Sequence, residues 1–223
     1  VTVLDVNSAA DRWYLVLEYI DGPNLGTVVR QRGPLPVRQA CDFARQVALG
    51  LQHAHEKGSL HGALTPSNLL VDRPGGRGRA ERPTVKVSNF GVARLTDAGP
   101  VAGDCDPADF RGPELLLPRG TPTPAADLYS LGCTLYFLLT GWPPFPGGTV
   151  ADKAQRHRAA AAPAVEAVRP DVPPSVAGLV RMLLAKDPAH RPASAAEVAA
   201  RLEPFADGDD AGHVDFNLPQ RVP

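Results

Sequence analysis

The most informative part of this sequence is HGALTPSN at residues 61–68. Before it, apolar residues from Ala40 to Ala54 recur in steps of three and one, which predicts a helix with one buried stripe from Pro36 to about Gly58. After it, the runs Leu69 to Val71 and Thr84 to Val87 predict two short strands. A long helix, a loop rich in hydrogen-bonding side chains and a strand pair therefore follow one another.

Further from this loop, the pattern predicts one more strand pair and three more helices. Val1 to Val6 and Trp13 to Ile20 are β-rich runs that flank a polar turn. Ala125 to Thr140 is apolar nearly all round and predicts a central buried helix. Ser175 to Leu184 and Ser194 to Leu202 are amphipathic, and the second opens with the S-x-x-E spacing of a capping box. The expected fold class is α+β, mainly α.

Composition restricts the classes of partner. A net charge of -1 over 223 residues argues against nucleic acid or an anionic membrane as the main partner. Cys41, Cys105 and Cys133 form no paired framework, which favours a reducing, cytoplasmic location. No apolar run reaches the roughly 18 residues of a membrane span. Val1 at the start indicates a fragment or excised domain, and the excess of Arg over Lys favours a bacterial source.

Five motifs in order resemble the protein kinase signature set. HGALTPSN resembles the catalytic loop H-R-D-L-K-P-x-N, and the others resemble D-F-G, A-P-E, the central helix and the late arginine motif: Asn89–Gly91, Gly112–Glu114, Asp127–Gly132 and Lys186–Pro192. The chain is most similar to bacterial Ser/Thr kinases of the eukaryotic type. The resemblance implies a protein-kinase-like fold, with the helical large lobe at 21–205 and a polar tail at 206–223. Residues 1–20 would be a remnant of the small lobe, with only its last strands and the hinge and without the Gly-rich loop and strand lysine that cover ATP.

The same resemblance indicates that the catalytic positions are degenerate. Ala63 stands where the family has the catalytic aspartate, and Thr65 stands where it has the phosphate-contacting lysine. Asn89 replaces the metal-binding aspartate of D-F-G. Of the family's two metal ligands, only the second one, Asn68, is kept. Pro107 replaces the threonine that contacts the catalytic loop. We therefore expect no intact catalytic residue, and weak Mg²⁺ binding at best through Asn68 and Asn89.

The activation segment also departs from the family pattern. Four aspartates, Asp97, Asp104, Asp106 and Asp109, could imitate its phosphate groups. However, Gly62 replaces the catalytic-loop arginine that pairs with such a phosphate. The sequence therefore predicts that these carboxylates lack their basic partner.

Other matching positions have structural roles in the family. His61, Phe90 and Asp127 match the base of the regulatory spine, where the helix-borne aspartate anchors the catalytic loop. Glu114 and Arg191 match a buried ion pair that fastens the activation segment to the late helices. Retention of all five indicates that the fold is still required.

A nucleotide pocket is implied by the resemblance alone. Leu17 would be the gatekeeper, Glu18 and Ile20 the hinge contacts, and Leu70 the floor beneath adenine. Without the resemblance, the apolar residues among them would be interpreted as core. ATP and Mg²⁺ are thus possible cofactors with weak expected affinity.

The remaining polar clusters have less specific interpretations. His53 and His55 do not share a helical face, which argues against a metal pair. Trp142, after the central helix, is expected to pack on the surface of the lobe. A loop of arginines could dock an acidic partner or simply be solvated: Arg73, Arg77, Arg79 and Arg82.

Three hypotheses follow from the sequence. The first is a pseudokinase that acts as a signalling scaffold or protein-interaction module with protein partners. The alternative is a weak or atypical ATP-binding Ser/Thr kinase that uses the retained Asn68. The third is a decayed fragment that does not fold alone.

Overall fold

The computed structural model of the protein describes residues 1–9, 12–72, 82–91, 105–116 and 120–206. Helices predominate among these residues, so the predicted α+β, mainly α class is confirmed. The elements are β1 Val3–Ala9, β2 Arg12–Leu17, α1 Leu25–Arg32, α2 Val37–Glu56, β3 Leu69–Asp72, β4 Thr84–Val87, α3 Pro124–Thr140, α4 Val150–Ala159, α5 Val165–Val168, α6 Pro174–Leu183 and α7 Ala195–Ala206.

The strands form two separate antiparallel pairs in the described part of the chain. β1 pairs with β2, with Val3 opposite Leu17. β3 pairs with β4, with Leu69 opposite Val87. The predicted second strand extended to Ile20, but β2 ends at Leu17, so the following residues form a linker between the hairpin and the helices.

Helix α3 is the centre of the core. Every residue from Ala126 to Thr140 is buried, as its apolar composition predicts. The Thr123 side chain caps its start, and Gly141 ends it in the left-handed conformation with φ 83°. A Cβ on Gly132 would lie 2.6 Å from the Cβ of Leu183, so this glycine lets α3 and α6 approach closely.

Helix α2 packs on α3 and, most extensively, on α7. Its bounds agree with the prediction to within about two residues. At the start of α7 the backbone N–H of Glu197 donates to Ser194 Oγ at 3.2 Å. The Glu197 carboxylate accepts from the N–H of Ala193 at 2.8 Å, one residue earlier than in a standard capping box.

Helices α1, α4 and α5 were not predicted. The buried face of α4 carries Lys153 and His157, which are polar, so the helix has no apolar stripe to recognise. Its start does carry a capping-box signal, because Thr149 and Asp152 hydrogen bond reciprocally. Helix α1 is only eight residues long, with Asn24 as its N-cap.

Some sequence predictions are wrong or lie outside the described residues. Trp142 is 67% exposed rather than packed on the lobe. The arginines of 73–81 and the tail after Ala206 lie outside the description, as do Asp97 and Asp104. Among the described helices, none combines the length and apolarity needed to cross a membrane.

Candidate degenerate active site

The loop at 61–68 is anchored by one buried carboxylate. Asp127, near the start of α3, accepts hydrogen bonds from the backbone N–H of His61 at 3.0 Å and of Gly62 at 2.8 Å. Its Oδ2 also lies 2.8 Å from Nε2 of His55, at the end of α2. Three partners thus satisfy a side chain that is almost inaccessible. His55 also resembles a helix-end histidine of the family, and its contact with Asp127 was not predicted.

The imidazole of His61 connects the loop to the residues after β4. Its Nε2 lies 3.1 Å from the carbonyl oxygen of Ser88. Its ring contacts that of Phe90, with centroids 4.9 Å apart. Burial lowers the pKa of His61 despite the nearby Asp127 carboxylate, so the ring is neutral at neutral pH. The backbone N–H of Ala63 donates to Nδ1 at 3.4 Å, so both ring nitrogens contact backbone groups.

The position of the family's general base carries no functional side chain. Ala63 presents a methyl group, and its carbonyl oxygen accepts from Nδ2 of Asn68 at 2.9 Å. Thr65, two residues later, is buried and uncharged. Neither residue can accept a proton from a hydroxyl nucleophile as a carboxylate does, or neutralise a phosphate as a lysine does.

The two potential metal ligands bind each other. Nδ2 of Asn89 donates to Oδ1 of Asn68 at 3.0 Å. Asn89 adopts a left-handed backbone conformation with φ 63°, which asparagine tolerates better than most residues. Because Nδ2 of Asn68 already donates to Ala63, the amide of Asn68 is engaged on both sides. We call this contact the amide pair.

The amide pair does not fit Mg²⁺. This ion prefers anionic oxygen ligands in an octahedral arrangement, and the pair offers two neutral amides. Within the described ranges, no group of three or more His, Cys, Asp or Glu side chains could hold a metal ion. The donor set at this position is therefore unsuited to clamping a triphosphate through magnesium.

The predicted nucleotide contacts lie at the end of β2, in the linker after it, and on β3. Leu17 ends β2, and the carboxylate of Glu18 accepts from the backbone N–H of Thr2 at 2.6 Å. Ile20 is half-buried in the linker that follows. Leu70 is half-buried on β3 and forms an isolated bridge with Asn24. These positions are where the resemblance puts them along the chain, and their role in binding a nucleotide stays a prediction.

The described end of the activation segment is held by a lysine from α4. Nζ of Lys153 lies 2.7 Å from a carboxylate oxygen of Asp106 and 2.7 Å from one of Asp109. Gly62 provides no cation for these aspartates, as predicted, but a different basic partner that was not predicted binds Asp106 and Asp109. The partner comes from α4, about 45 residues later in the chain, and replaces the missing catalytic-loop arginine as a cation in this region.

Burial and hydrogen bonding shift the pKa values of Asp106, Asp109 and Lys153 in different directions. The hydrogen bond from Lys153 lowers the pKa of Asp106. Burial raises the pKa of Asp109 more strongly than Lys153 lowers it. Burial also opposes the charge on Lys153, yet the two carboxylates together raise its pKa. The lysine is therefore a charged bridge between α4 and the one-turn 3-10 helix Pro107–Asp109.

The described part of this segment contacts the loop at 61–68 through Cys105. The backbone N–H of Cys105 donates to Oγ of Ser67 at 3.1 Å. Pro107 begins the 3-10 helix two residues later and, as a proline, has no N–H to donate. The family threonine at this position would have offered a hydroxyl, which Pro107 lacks.

The second half of the segment is fastened by a bidentate ion pair. Nη1 and Nη2 of Arg191 lie 2.6 and 3.0 Å from Oε1 and Oε2 of Glu114. The Arg191 side chain is 0% exposed. It also donates to three backbone carbonyls, those of Ala125, Ala185 and Lys186. The structure thus brings together the two residues that the resemblance pairs.

Comparison with known proteins agrees with this architecture. The family model for the protein kinase domain matches residues 1–202. The serine/threonine-protein kinase PrkC of Bacillus subtilis (strain 168) is 30% identical over 227 residues, covering 98% of this chain and 33% of that protein. The serine/threonine-protein kinase PknA of Mycobacterium tuberculosis (strain ATCC 25618 / H37Rv) is 34% identical over 181 residues, covering 80% of this chain and 39% of that protein.

Solved structures share the fold. A crystal structure of Rad53 1-466 in complex with AMP-PNP superposes with a TM-score of 0.72 at 23% identity, covering 92% of this chain and 50% of that one. The chain belongs to the protein kinase family. It spans about a third of the length of the curated relatives named above.

Proposed function

We propose that this chain is a catalytically inactive protein kinase domain that acts as a signalling scaffold or protein-interaction module in the cytoplasm. The observation that carries the proposal is the amide pair, Asn68 with Asn89, at the position where the family holds magnesium. Ala63 at the general-base position supports it. The free thiols of all three cysteines support a reducing compartment.

The expected loss of rate is large. Removal of a general base typically costs about 10²–10⁴-fold, and active kinases turn over at about 1–100 s⁻¹. Loss of the anionic metal ligand lowers the rate further, although such effects do not simply add. A domain with both changes would turn over roughly once in many minutes or more slowly.

The retained contacts favour a binding role over simple decay. Asp127 still anchors the degenerate loop, and Arg191 still pairs with Glu114. An unpaired charge at either place would cost about 3–5 kcal/mol, so the two contacts are expensive to lose. Both preserve the shape of the large lobe without contributing to phosphoryl transfer.

A groove on the large lobe supports a protein partner. It has a volume of about 460 Å³ and lies between α1, the segment from Cys105 to Phe110 and the end of α3. Phe137 lines its wall, and the exposed Trp142 stands beside it. Aromatic side chains at a groove edge are typical of interfaces that bind proteins.

The test is a phosphoryl-transfer assay with a matched restoration variant. We expect no Mg·ATP-dependent labelling of the protein itself or of a generic substrate. The triple variant Ala63→Asp, Thr65→Lys, Asn89→Asp restores the family side chains and is the comparison. Labelling by the unaltered protein that Asn68→Ala abolishes would contradict the proposal, because only catalysis at this site depends on Asn68.

The alternative is a weak ATP-binding Ser/Thr kinase. It is favoured by retention of Asn68 and by the names of the relatives, which are serine/threonine-protein kinases. In a protein that also carries the family's Gly-rich loop and strand lysine, it predicts a thermal shift with Mg·ATP that exceeds the shift with ATP and a chelator. Equal melting temperatures in both conditions would exclude this alternative, because its chemistry needs the metal.

A further inference from the structure

The ammonium group of Lys186 lies in an aromatic pocket below the activation segment. Its Nζ is 4.7 Å from the ring centroid of Phe145 and 5.5 Å from that of Tyr129. It donates to Oη of Tyr129 at 3.2 Å. In the described part of the chain, no carboxylate oxygen lies within ion-pair distance of this Nζ. Among the described residues, the charge is compensated by the weak attraction of two rings and a hydroxyl.

The other lysines occupy different environments. The chain has Lys57, Lys86, Lys153 and Lys186. Lys57 is exposed at the end of α2, and Lys86 is half-buried on β4. Lys153 is nearly buried but binds two carboxylates. Lys86 and Lys186 are both half-buried without a described ion-pair partner, and what distinguishes Lys186 is the position of its ammonium group over the rings of Phe145 and Tyr129.

The neighbouring titratable groups do not stabilise the charge on Lys186. The guanidinium of Arg191 lies 4.9 Å from the same Tyr129 ring and repels the ammonium. The carboxylate of Glu114, which faces Arg191, has both of its oxygens bound by that arginine. Burial raises the pKa of Cys133, whose thiol therefore stays neutral.

The remaining faces of the pocket are neutral as well. Burial raises the pKa of Tyr129, so its hydroxyl stays protonated. Burial lowers the pKa of His157, which contacts Tyr129, to about 4, so this ring is uncharged at neutral pH. As a result, desolvation lowers the pKa of Lys186 to about 8. A substantial fraction of its amine is neutral in a buffer near pH 8.

We propose that Lys186 is a covalent acylation site of this domain, which takes its acyl group from small activated carboxylic acids such as acyl phosphates. The lone pair of the neutral amine attacks the acyl carbonyl carbon. The bond from that carbon to the phosphate oxygen breaks, inorganic phosphate leaves with its electron pair, and the amine proton passes to water. The product is an amide on Nζ, and the reaction needs no further reagent.

The environment provides the required selectivity. At pH 7.5 an ordinary lysine, with a pKa near 10.4, is neutral about 100-fold less often than Lys186. Lower basicity and partial burial each reduce the reactivity of the neutral amine, so we expect a net advantage of about tenfold. Lys186 is half-buried, so part of its side chain is open to solvent, and we expect a small acyl donor to react more readily than a bulky one.

The experiment uses acetyl phosphate and the four lysines as internal controls. The protein is incubated with acetyl phosphate at several pH values, and acetylation at each lysine is followed by peptide mass spectrometry. We expect Lys186 to react about tenfold faster than the exposed Lys57, with a rate that rises through a midpoint near pH 8. In urea, where the pocket is lost, the two lysines should react at similar rates.

Two outcomes would overturn the proposal. One is a rate at Lys186 equal to or below that at Lys57 in the folded protein. The other is a faster reaction whose pH midpoint lies at or above about 10, as for an ordinary lysine. Lys186→Arg is the control variant, because it keeps a cation over the rings but has no amine to acylate. Loss of the label in this variant assigns the label to Lys186. Neither outcome depends on whether the domain transfers phosphate.

Discussion

The buried pair of Glu114 and Arg191 gives the sharpest quantitative prediction. We consider the substitution Glu114→Ala. It removes the carboxylate that binds Arg191 at 2.6 and 3.0 Å and leaves a guanidinium whose side chain is 0% exposed. The three backbone carbonyls that Arg191 also reaches cannot replace a full negative charge.

The magnitude follows from this geometry. Breaking a buried ion pair by removing one partner costs about 3–5 kcal/mol. Glu114 is 19% exposed, so water can enter the space that its side chain leaves, and we expect the lower end, about 3 kcal/mol. A domain of this size has a stability of about 5–15 kcal/mol, so the variant should still fold.

The assay is equilibrium unfolding in urea, followed by circular dichroism. With a slope of about 2–3 kcal/mol per molar urea, the midpoint should fall by roughly 1–1.5 M. Glu203→Ala, at an exposed position of α7, is the matched control and should change the midpoint little. Glu114→Leu combined with Arg191→Met should recover much of the loss, because no charge is then buried unpaired.

A small effect would refute this reasoning. If Glu114→Ala shifted the midpoint no more than Glu203→Ala, Arg191 would have found water or another partner. The activation segment would then not depend on this pair for its attachment to the late helices.

Three further predictions concern the other polar contacts. Lys153→Met should destabilise the protein by about 2 kcal/mol at pH 7, because the buried Asp109 loses its cation. The loss should appear as faster amide hydrogen exchange in residues 105–116, and unchanged exchange would contradict the role of Lys153 as a bridge. When the pH falls from 7.5 to 5.5, His157 should lower the free energy of unfolding by about 1.4 kcal/mol. The reason is that this histidine binds a proton below pH 6.5 in the unfolded chain, whereas the buried ring has a pKa of about 4 and does not. In chemical denaturation, the variant His157→Gln should not show this part of the pH dependence. Asn89→Asp should create a thermal shift with millimolar Mg²⁺ that the unaltered protein lacks, because a carboxylate then faces Asn68; no shift in the variant would mean that more than the amide pair prevents metal binding.

Helix predictions succeeded where apolar side chains form the buried face. The limits of α2 and α3 follow from apolar periodicity and from Gly58 and Gly141 at their ends, both of which have positive φ. Helix α4 escaped prediction because Lys153 and His157 provide its buried face. A polar side chain can face the core when a distant partner compensates it, and periodicity does not reveal that partner.

The candidate site also has features that the sequence predicts and contacts that it does not. The replacement of acidic and basic side chains at Ala63, Thr65 and Asn89 is visible in the sequence, because a motif identifies each position by its order along the chain. The contact between Asp106 and Lys153 was not predicted, because only the catalytic-loop position was considered as the source of a cation. That assumption concerned a contact between distant segments, which spacing does not constrain.

The sequence by itself therefore determined the family, the helical class and which of the family's motif side chains are replaced, since these depend on which side chain stands at each motif position. Only the tertiary structure decided which distant residues come into contact. It joins Asn68 to Asn89, Asp106 to Lys153, and Lys186 to an aromatic pocket. The physical reason is that hydrogen bonds and desolvation depend on distances of a few ångströms between residues that are about 20 to 60 positions apart in the chain.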